Sequence, residues 1–380
     1  MRLYIIGNGF DLHHGLKTSY GAYKEYLKNK NRISYDEYEN IVRMNNDTID
    51  AWTDIENSLN LNYAKILSSY VDRDEVEALV KDRRTSILTA RYNESEDYYG
   101  DDESDSLNDV LPGMGDMSIV SMYGQYLNKE VELATEFIYD FTGIHLYNWL
   151  KNIDYSKVKA DLLIEKDAKF VSFNYIDTLE DYYDISSENV LHIHGRLKEV
   201  ELPTVYDKGI MYDDMEDLID KLDDYSDEAQ LVKKLAEDAF WDKKINSRIL
   251  NGCIREHIQF GAAIDYRTVT DGLKKLYEGL DGIEIVANEL IRYFEDFIDA
   301  STKKIEENYN ILDDFIDDDI DSIVIMGHTL MGPDLSYYKD IIVPKYRDIH
   351  WTFYNYGTDD SKIVEFVSEM GIKDYDIENW

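Results

Sequence analysis

Arg2-Leu3-Tyr4-Ile5-Ile6-Gly7-Asn8-Gly9-Phe10-Asp11 begins with an apolar, partly β-branched run that breaks on glycine. The run is too short for a helix and has no polar side, so it reads as a strand buried on both faces, as in parallel sheets. Gly7, Asn8 and Gly9 at its carboxyl end lead through Gly15 and Thr18 to a helix expected from about Tyr20. Glycines in such a turn allow positive φ and let backbone N–H groups approach a phosphate, while the helix start adds a partial positive charge. The plain alternative is an ordinary strand-to-helix turn. Asp11 is a costly neighbour for phosphate, which makes it a candidate for binding ribose hydroxyls or for catalysis.

Outward from this stretch, residues 169–173, 190–193 and 322–326 form similar short apolar runs, with a fifth around 349–354. Each runs into Gly, Asn, His or Asp, the pattern of strands that deliver polar groups at their carboxyl ends. This predicts an α/β fold with a Rossmann-like, doubly wound parallel sheet. Residues 1–35, 165–200 and 319–380 would form that nucleotide-binding core. Two large helical insertions would occupy 36–164 and 201–318. The first shows helical spacing at Ile55, Leu59, Ala64 and Leu67 and again over 131–150, and contains an acidic loop at 93–115; the second holds acidic amphipathic helices at 217–238 and 282–308. Asp359, Asp360 and Ser361 are placed to cap a last helix over 362–370.

The strand ends carry the chemistry. Asn174 and Asp177 follow the second run; an amide that both donates and accepts can fix a ribose or a water, and the carboxylate can accept from the same hydroxyls. The alternative is structural, with Asp177 starting a helix and Glu180 completing a capping box. His192 and His194 alternate along the third run, which would put both on one face, and His194 before Gly195 is the better placed for general-base or ribose contact. Gly327 and His328 end the fourth run. Glu56, in Trp52-Thr53-Asp54-Ile55-Glu56, could reach this edge from the first insertion but reads more simply as a helix-surface acid. No third ligand accompanies the histidine pair, so no metal is expected. Four strand ends supplying polar groups are hard to obtain by packing alone.

Composition narrows the function classes. The chain has 79 acidic and 40 basic residues, a formal net charge of −39, the wrong sign for gripping phosphate backbones, so nucleic acid is not an expected partner. A single cysteine, Cys253, precludes an internal disulfide and fits a reducing cytosol. No window approaches the roughly 20 apolar residues of a membrane span, and the glycine motif comes too early for a signal peptide. These features predict a cytoplasmic protein with no membrane association.

In order and spacing, Gly7 to Asp11, Gly15, Thr18, Trp52 to Glu56, Ser172 to Glu180, His192 to Gly195 and Gly327 to Asp334 resemble the AbiH family of phage abortive-infection proteins. The same order is similar to the sirtuin (DHS-like) NAD-binding arrangement. Within it Asp11 replaces a serine, Thr18 an acid and Tyr20 an arginine, and Asn174 meets the sirtuin asparagine only if the turn is one residue longer. The zinc-binding cysteines of deacetylating sirtuins are absent. The resemblances imply antiphage defence by a chain whose core takes NAD or a related dinucleotide. On this reading Asn174, Asp177 and His194 are catalytic, hydrolysing the nicotinamide–ribose bond on infection. Gly7, Asn8, Gly9, Asp11, Thr18, His192, Gly195, Gly327 and His328 bind the cofactor. Rival readings are a non-catalytic nucleotide-binding sensor that recognises a phage protein, and a nuclease, which would want a basic track that is not visible; a phage-protein trigger and self-association as a homo-oligomer are the partners open to the chain.

Overall fold

The computed structural model describes residues 1–30, 137–156, 158–159, 161–202, 243–261, 302–316, 319–355 and 360–379, with isolated positions at 35, 39, 55–56, 74, 77, 81, 271–272, 274–275, 278–279 and 298–299. The acidic loop at 93–115, the spacing through Leu59, Ala64 and Leu67, the helix expected at 217–238 and most of that at 282–308 lie outside the described residues.

Six parallel strands form one sheet: β1 (Arg2–Ile6), β2 (Lys169–Ser172), β3 (Val190–His192), β4 (Ser322–Met326), β5 (His350–Asn355) and β6 (Tyr375–Asn379). Their spatial order is β3-β2-β1-β4-β5-β6, the order of a doubly wound dinucleotide-binding sheet, with the reversal of direction between β1 and β4. The period of two along β1 explains its continuous apolar sequence. Leu3 and Ile5 pack with Val171, Phe173, Ile323, Ile325, Trp351 and Phe353 on one face, while Tyr4 and Ile6 pack with Phe170, Val190, Val324 and Met326 on the other. The sheet is thus buried on both sides, as a parallel sheet requires.

Helices follow the strands: α1 (Asn8–His13) and α2 (Tyr20–Lys30) after β1, α3 (Ile144–Lys151) before β2, and α4 (Thr178–Tyr183) after it. Beyond β3 come α5 (Lys243–His257) and α6 (Asn308–Phe315), and α7 (Ser361–Met370) lies between β5 and β6. Residues 335–346 form a continuous helical segment with a π-helical stretch at Tyr338–Ile342.

Three sequence expectations need correction. The residues after Gly7 are already helical, because Gly7 and Gly9 do not supply positive φ. They supply closeness: a Cβ on Gly7 would stand 2.5 Å from the His328 Cα, and one on Gly9 would stand 2.6 Å from the Gly327 Cα. Asp177 does start α4, but its side chain caps nothing, and Glu180 turns to His192 and Arg196 instead of back to the helix start. Asp360 precedes α7 without a side-chain cap, since its carboxylate accepts from the Asn355 amide at 2.7 Å.

Candidate functional site

The seam between β1 and β4 is backbone against backbone. Gly7 N–H donates to Met326 O at 3.0 Å and Gly9 N–H to Gly327 O at 2.8 Å, so both amides are spent within the protein. Gly327 has φ +67, and its own Cβ position would lie against Gly9. Its turn continues to Leu330, a non-glycine residue at φ 54, whose N–H is held by His328 Nδ1 at 3.1 Å. A left-handed leucine is strained, so the turn is fixed by its surroundings rather than by local preference.

Asn174 joins β2 to this seam. Its Nδ2 donates to Gly7 O at 3.1 Å, and its own carbonyl faces His192 Nδ1 at 3.0 Å. His192 Nε2 meets Glu180 Oε1 at 3.0 Å, so both ring nitrogens face acceptors, an arrangement only the doubly protonated ring can satisfy. Burial works against that charge, but the hydrogen bond and charge of Glu180 outweigh it and raise the His192 pKa. Around this pair, Arg196 Nη1 lies 3.3 Å from Asp177 and 3.1 Å from Glu180, and Lys198 reaches Asp177 at 3.4 Å and Asp181 at 2.6 Å. Asp177, Glu180 and His192 lie close enough together to suggest a cation site, but the guanidinium already bridges the two carboxylates. We read the group as an ion-pair cluster. Asp11 borders it: its carboxylate accepts from the Thr178 hydroxyl at 2.7 Å, and complete burial pushes its pKa up to about 7.

His194 belongs to a different cluster. β3 ends at His192 and the chain turns at once, Gly195 N–H returning to His192 O at 3.0 Å, so strand alternation does not extend to His194. The two histidines therefore do not share a face. His192 follows Val190 towards α4, while the His194 ring stacks edge-on with Phe173 and lies 5.7 Å from the Tyr337 ring on the opposite face. His194 Nε2 is 2.8 Å from Asp334 Oδ1, which also takes Lys303 Nζ at 3.3 Å; His328 Nε2 stands 3.8 Å from Asp334 Oδ2. Lys303 is 2.7 Å from Glu56 Oε1, and Glu56 in turn accepts from Tyr20 at 2.9 Å.

The electrostatics of this second cluster are those of two buried carboxylates sharing one ammonium. Burial pushes Glu56 up to about 7 against the pull of Lys303. For Asp334, Lys303 and His194 together overcome burial and hold the carboxyl well below its usual range. Burial and, after it, the Lys303 charge together lower His194 to about 4, more than the charge and hydrogen bond of Asp334 can restore. At neutral pH His194 is thus an uncharged imidazole, and among the described residues its Nδ1 has no hydrogen-bond partner.

Placed against the expectations, Gly7, Asn174 and His192 are bonded in a chain. Gly9 and Gly327 press together beside them, and Asp11 borders the His192 cluster. His194 and His328 meet at Asp334, and Asn8 is half-buried at the start of α1. Thr18 is buried, and among the described residues its hydroxyl has no hydrogen-bond partner. Gly195, at φ +77, is pressed against the His257 carbonyl at the end of α5, so its lack of a side chain serves that packing. Glu56 is no surface acid: it is 7 % exposed and carries the Lys303 bond. Lys303 gave no sequence signal, because a lone lysine marks nothing until its distant partners are known.

The whole of this edge falls inside a match to the family model for bacteriophage abortive infection AbiH, which spans residues 3–355. The chain belongs to the AbiH family. Its biological setting is accordingly abortive infection, the defence of a cell population against phage. No curated protein and no solved structure matches the chain, so the sirtuin-type likeness rests on motif order alone. No helix among the described residues is long and apolar enough to cross a membrane.

Proposed function

We propose that this AbiH protein binds NAD or a related dinucleotide along the carboxyl edge of its sheet and, on infection, hydrolyses the nicotinamide–ribose bond. The observation that carries the reading is convergence at the strand-order reversal. Asp11, Asn174, His194 and His328 each lie just beyond a different strand, Asn174 and His328 at the β1–β4 seam and Asp11 and His194 in the clusters on either face of it, the edge where open α/β sheets take nucleotides. Because the Gly7 and Gly9 amides are committed, recognition rests on side chains more than on a backbone phosphate cradle. Asn174, at the seam, and Asp177, in the cluster on one face, serve the ribose, and His194, on the other face, accepts the proton of the attacking water. Glycosidic cleavage through an oxocarbenium-like state requires a positioned base and water, which these groups supply without a metal.

A non-catalytic sensor, switched by nucleotide and by a phage protein, is the second reading. It is favoured by the Glu56–Lys303 bond, which ties both inserted regions to the site, a coupling a switch would need. One experiment separates the two. The purified full-length chain is incubated with NAD, with and without lysate of infected cells, and free nicotinamide is followed beside His194→Ala and Asn174→Ala. Release by wild type and its loss in both variants supports hydrolysis. Saturable NAD binding without release supports the sensor, and neither binding nor release overturns the dinucleotide reading.

A further inference from the structure

Among the described residues, Nδ1 of His194 is a buried nitrogen with no hydrogen-bond partner, as is the nearby Tyr338 hydroxyl, although Asp334, Lys303 and Glu56 beside it are all paired. The arrangement that leaves it so is specific. Asp334 accepts the Nε2 proton at 2.8 Å and is itself braced by Lys303 at 3.3 Å; Lys303 is braced from its other side by Glu56 at 2.7 Å. A neutral imidazole carries one N–H, so assigning it to Nε2 leaves Nδ1 as the only lone pair able to take a proton. Lys303, 2 % exposed in its side chain, places a fixed positive charge close to the ring through the shared carboxylate.

We propose that Asp334 and Lys303 are positioning residues for His194: Asp334 fixes the Nε2–H tautomer so that Nδ1 is the proton acceptor, and Lys303, braced by Glu56, keeps the ring uncharged. The inference rests on the hydrolysis reading for the identity of the proton. In that step the bond between the nicotinamide nitrogen and ribose C1′ breaks, and its electron pair neutralises the pyridinium. Water oxygen bonds to C1′, and the water proton passes to His194 Nδ1 and then to solvent. Nicotinamide, the hydrolysed nucleotide and one proton leave. A base that is uncharged before the step and adjacent to a carboxylate that steadies the imidazolium afterwards suits this sequence. Tautomer control is the part Asp334 adds, and it differs from merely holding the fold together.

Among the described residues, the charged and titratable groups facing the ring are Asp334, Lys303, His328 and Tyr337, with Glu56 and Tyr175 beyond Lys303. Only Lys303→Met removes a cation from this set. It should raise the His194 pKa from about 4 and move the acid limb of kcat upward by about one pH unit or more. Asp334→Asn should lower kcat by about 10²-fold or more with KM little changed.

The deciding experiment is ¹⁵N NMR of histidine-labelled full-length protein, with the His194 signals assigned through His194→Gln. Beside it, nicotinamide release is measured for wild type, Asp334→Asn and Lys303→Met. The wild-type titration alone tests the proposal should either variant fold poorly. We expect a ring protonated on Nε2 and uncharged down to about pH 4, becoming a tautomer mixture in Asp334→Asn. A wild-type His194 protonated on Nδ1, or charged at neutral pH, overturns the proposal. So does an Asp334→Asn protein that releases nicotinamide at the wild-type rate. If the expected tautomer is found and NAD is not cleaved, the positioning stands and the hydrolysis reading falls.

Discussion

His192 and His194 are separated by one isoleucine, yet they occupy opposite electrostatic states. The first faces a carbonyl and a carboxylate with its two nitrogens and is drawn towards the cation, within a cluster that Arg196 and Lys198 open to solvent. The second is buried, 1 % exposed, beside Lys303 and held neutral. Ion-pairing at the His192 cluster knits α4 to the end of β3. Among the described residues the His194 cluster leaves an imidazole nitrogen unspent in a buried, charged setting, where electrostatic effects are strongest. Residue type and spacing were the same; what differed was where the strand stopped and which distant side chains closed in.

The largest expected effect divides the two histidines. His194→Ala should lower kcat for nicotinamide release by about 10²- to 10⁴-fold. His192→Ala should act chiefly on stability, costing about 1–3 kcal/mol in urea unfolding because Glu180 loses its histidine. Equal losses of kcat in the two would erase the distinction.

The two bridging lysines sharpen it. Lys303 and Lys198 each span two carboxylates, but their side chains are 2 % and 52 % exposed. Removing a buried ion-pair partner costs about 3–5 kcal/mol, so Lys303→Met should destabilise by that order. An exposed pair contributes about 1 kcal/mol or less, so Lys198→Met should barely move the unfolding midpoint. Similar costs would mean that the two clusters are equally wet.

A glycine substitution tests the seam that keeps the clusters in register. Gly9→Ala drives a methyl to 2.6 Å from the Gly327 Cα and should cost about 1–3 kcal/mol or more, since neither backbone can yield. Gly15, with nothing within 4 Å of its Cβ position but φ +77, carries only the left-handed penalty of about 1–2 kcal/mol. Chemical denaturation of both variants ranks them.

The smallest effect is one of pH. Asp11, raised to about 7 by burial, binds its proton more tightly in the folded chain than in the unfolded one. The stability this contributes is present at low pH and is lost as pH rises from about 4 towards 7. Asp11→Asn removes that loss while keeping an acceptor for Thr178, so its Tm should exceed wild type by a few degrees at pH 8 and approach it near pH 5. A difference of the same size at both pH values would contradict the burial of a charged Asp11.

Five of the six strands were legible because their apolar runs and polar ends are local features. β6 was not: Tyr375-Asp376-Ile377-Glu378-Asn379 alternates as an edge strand, with Asp376 and Glu378 turned to solvent, and it is too polar to stand out. Asn174, His194 and Gly327 could be picked from strand ends, whereas the neutral state of His194 depends on Lys303 and Glu56, which local periodicity does not connect to it. The glycines stand out in the sequence without their reason, since close backbone approach, seen at Gly7 and Gly9, and phosphate binding favour the same residue. Even the HxH alternation was sound geometry applied to a strand that ended too soon.

The most direct measurement of the central claim is a crystal structure of full-length His194→Ala grown with NAD. The account predicts dinucleotide density along the carboxyl edge beside the β1–β4 seam, with the nicotinamide ribose near Asn174. Dinucleotide bound away from that edge, or an edge that stays closed at saturating NAD, would contradict it.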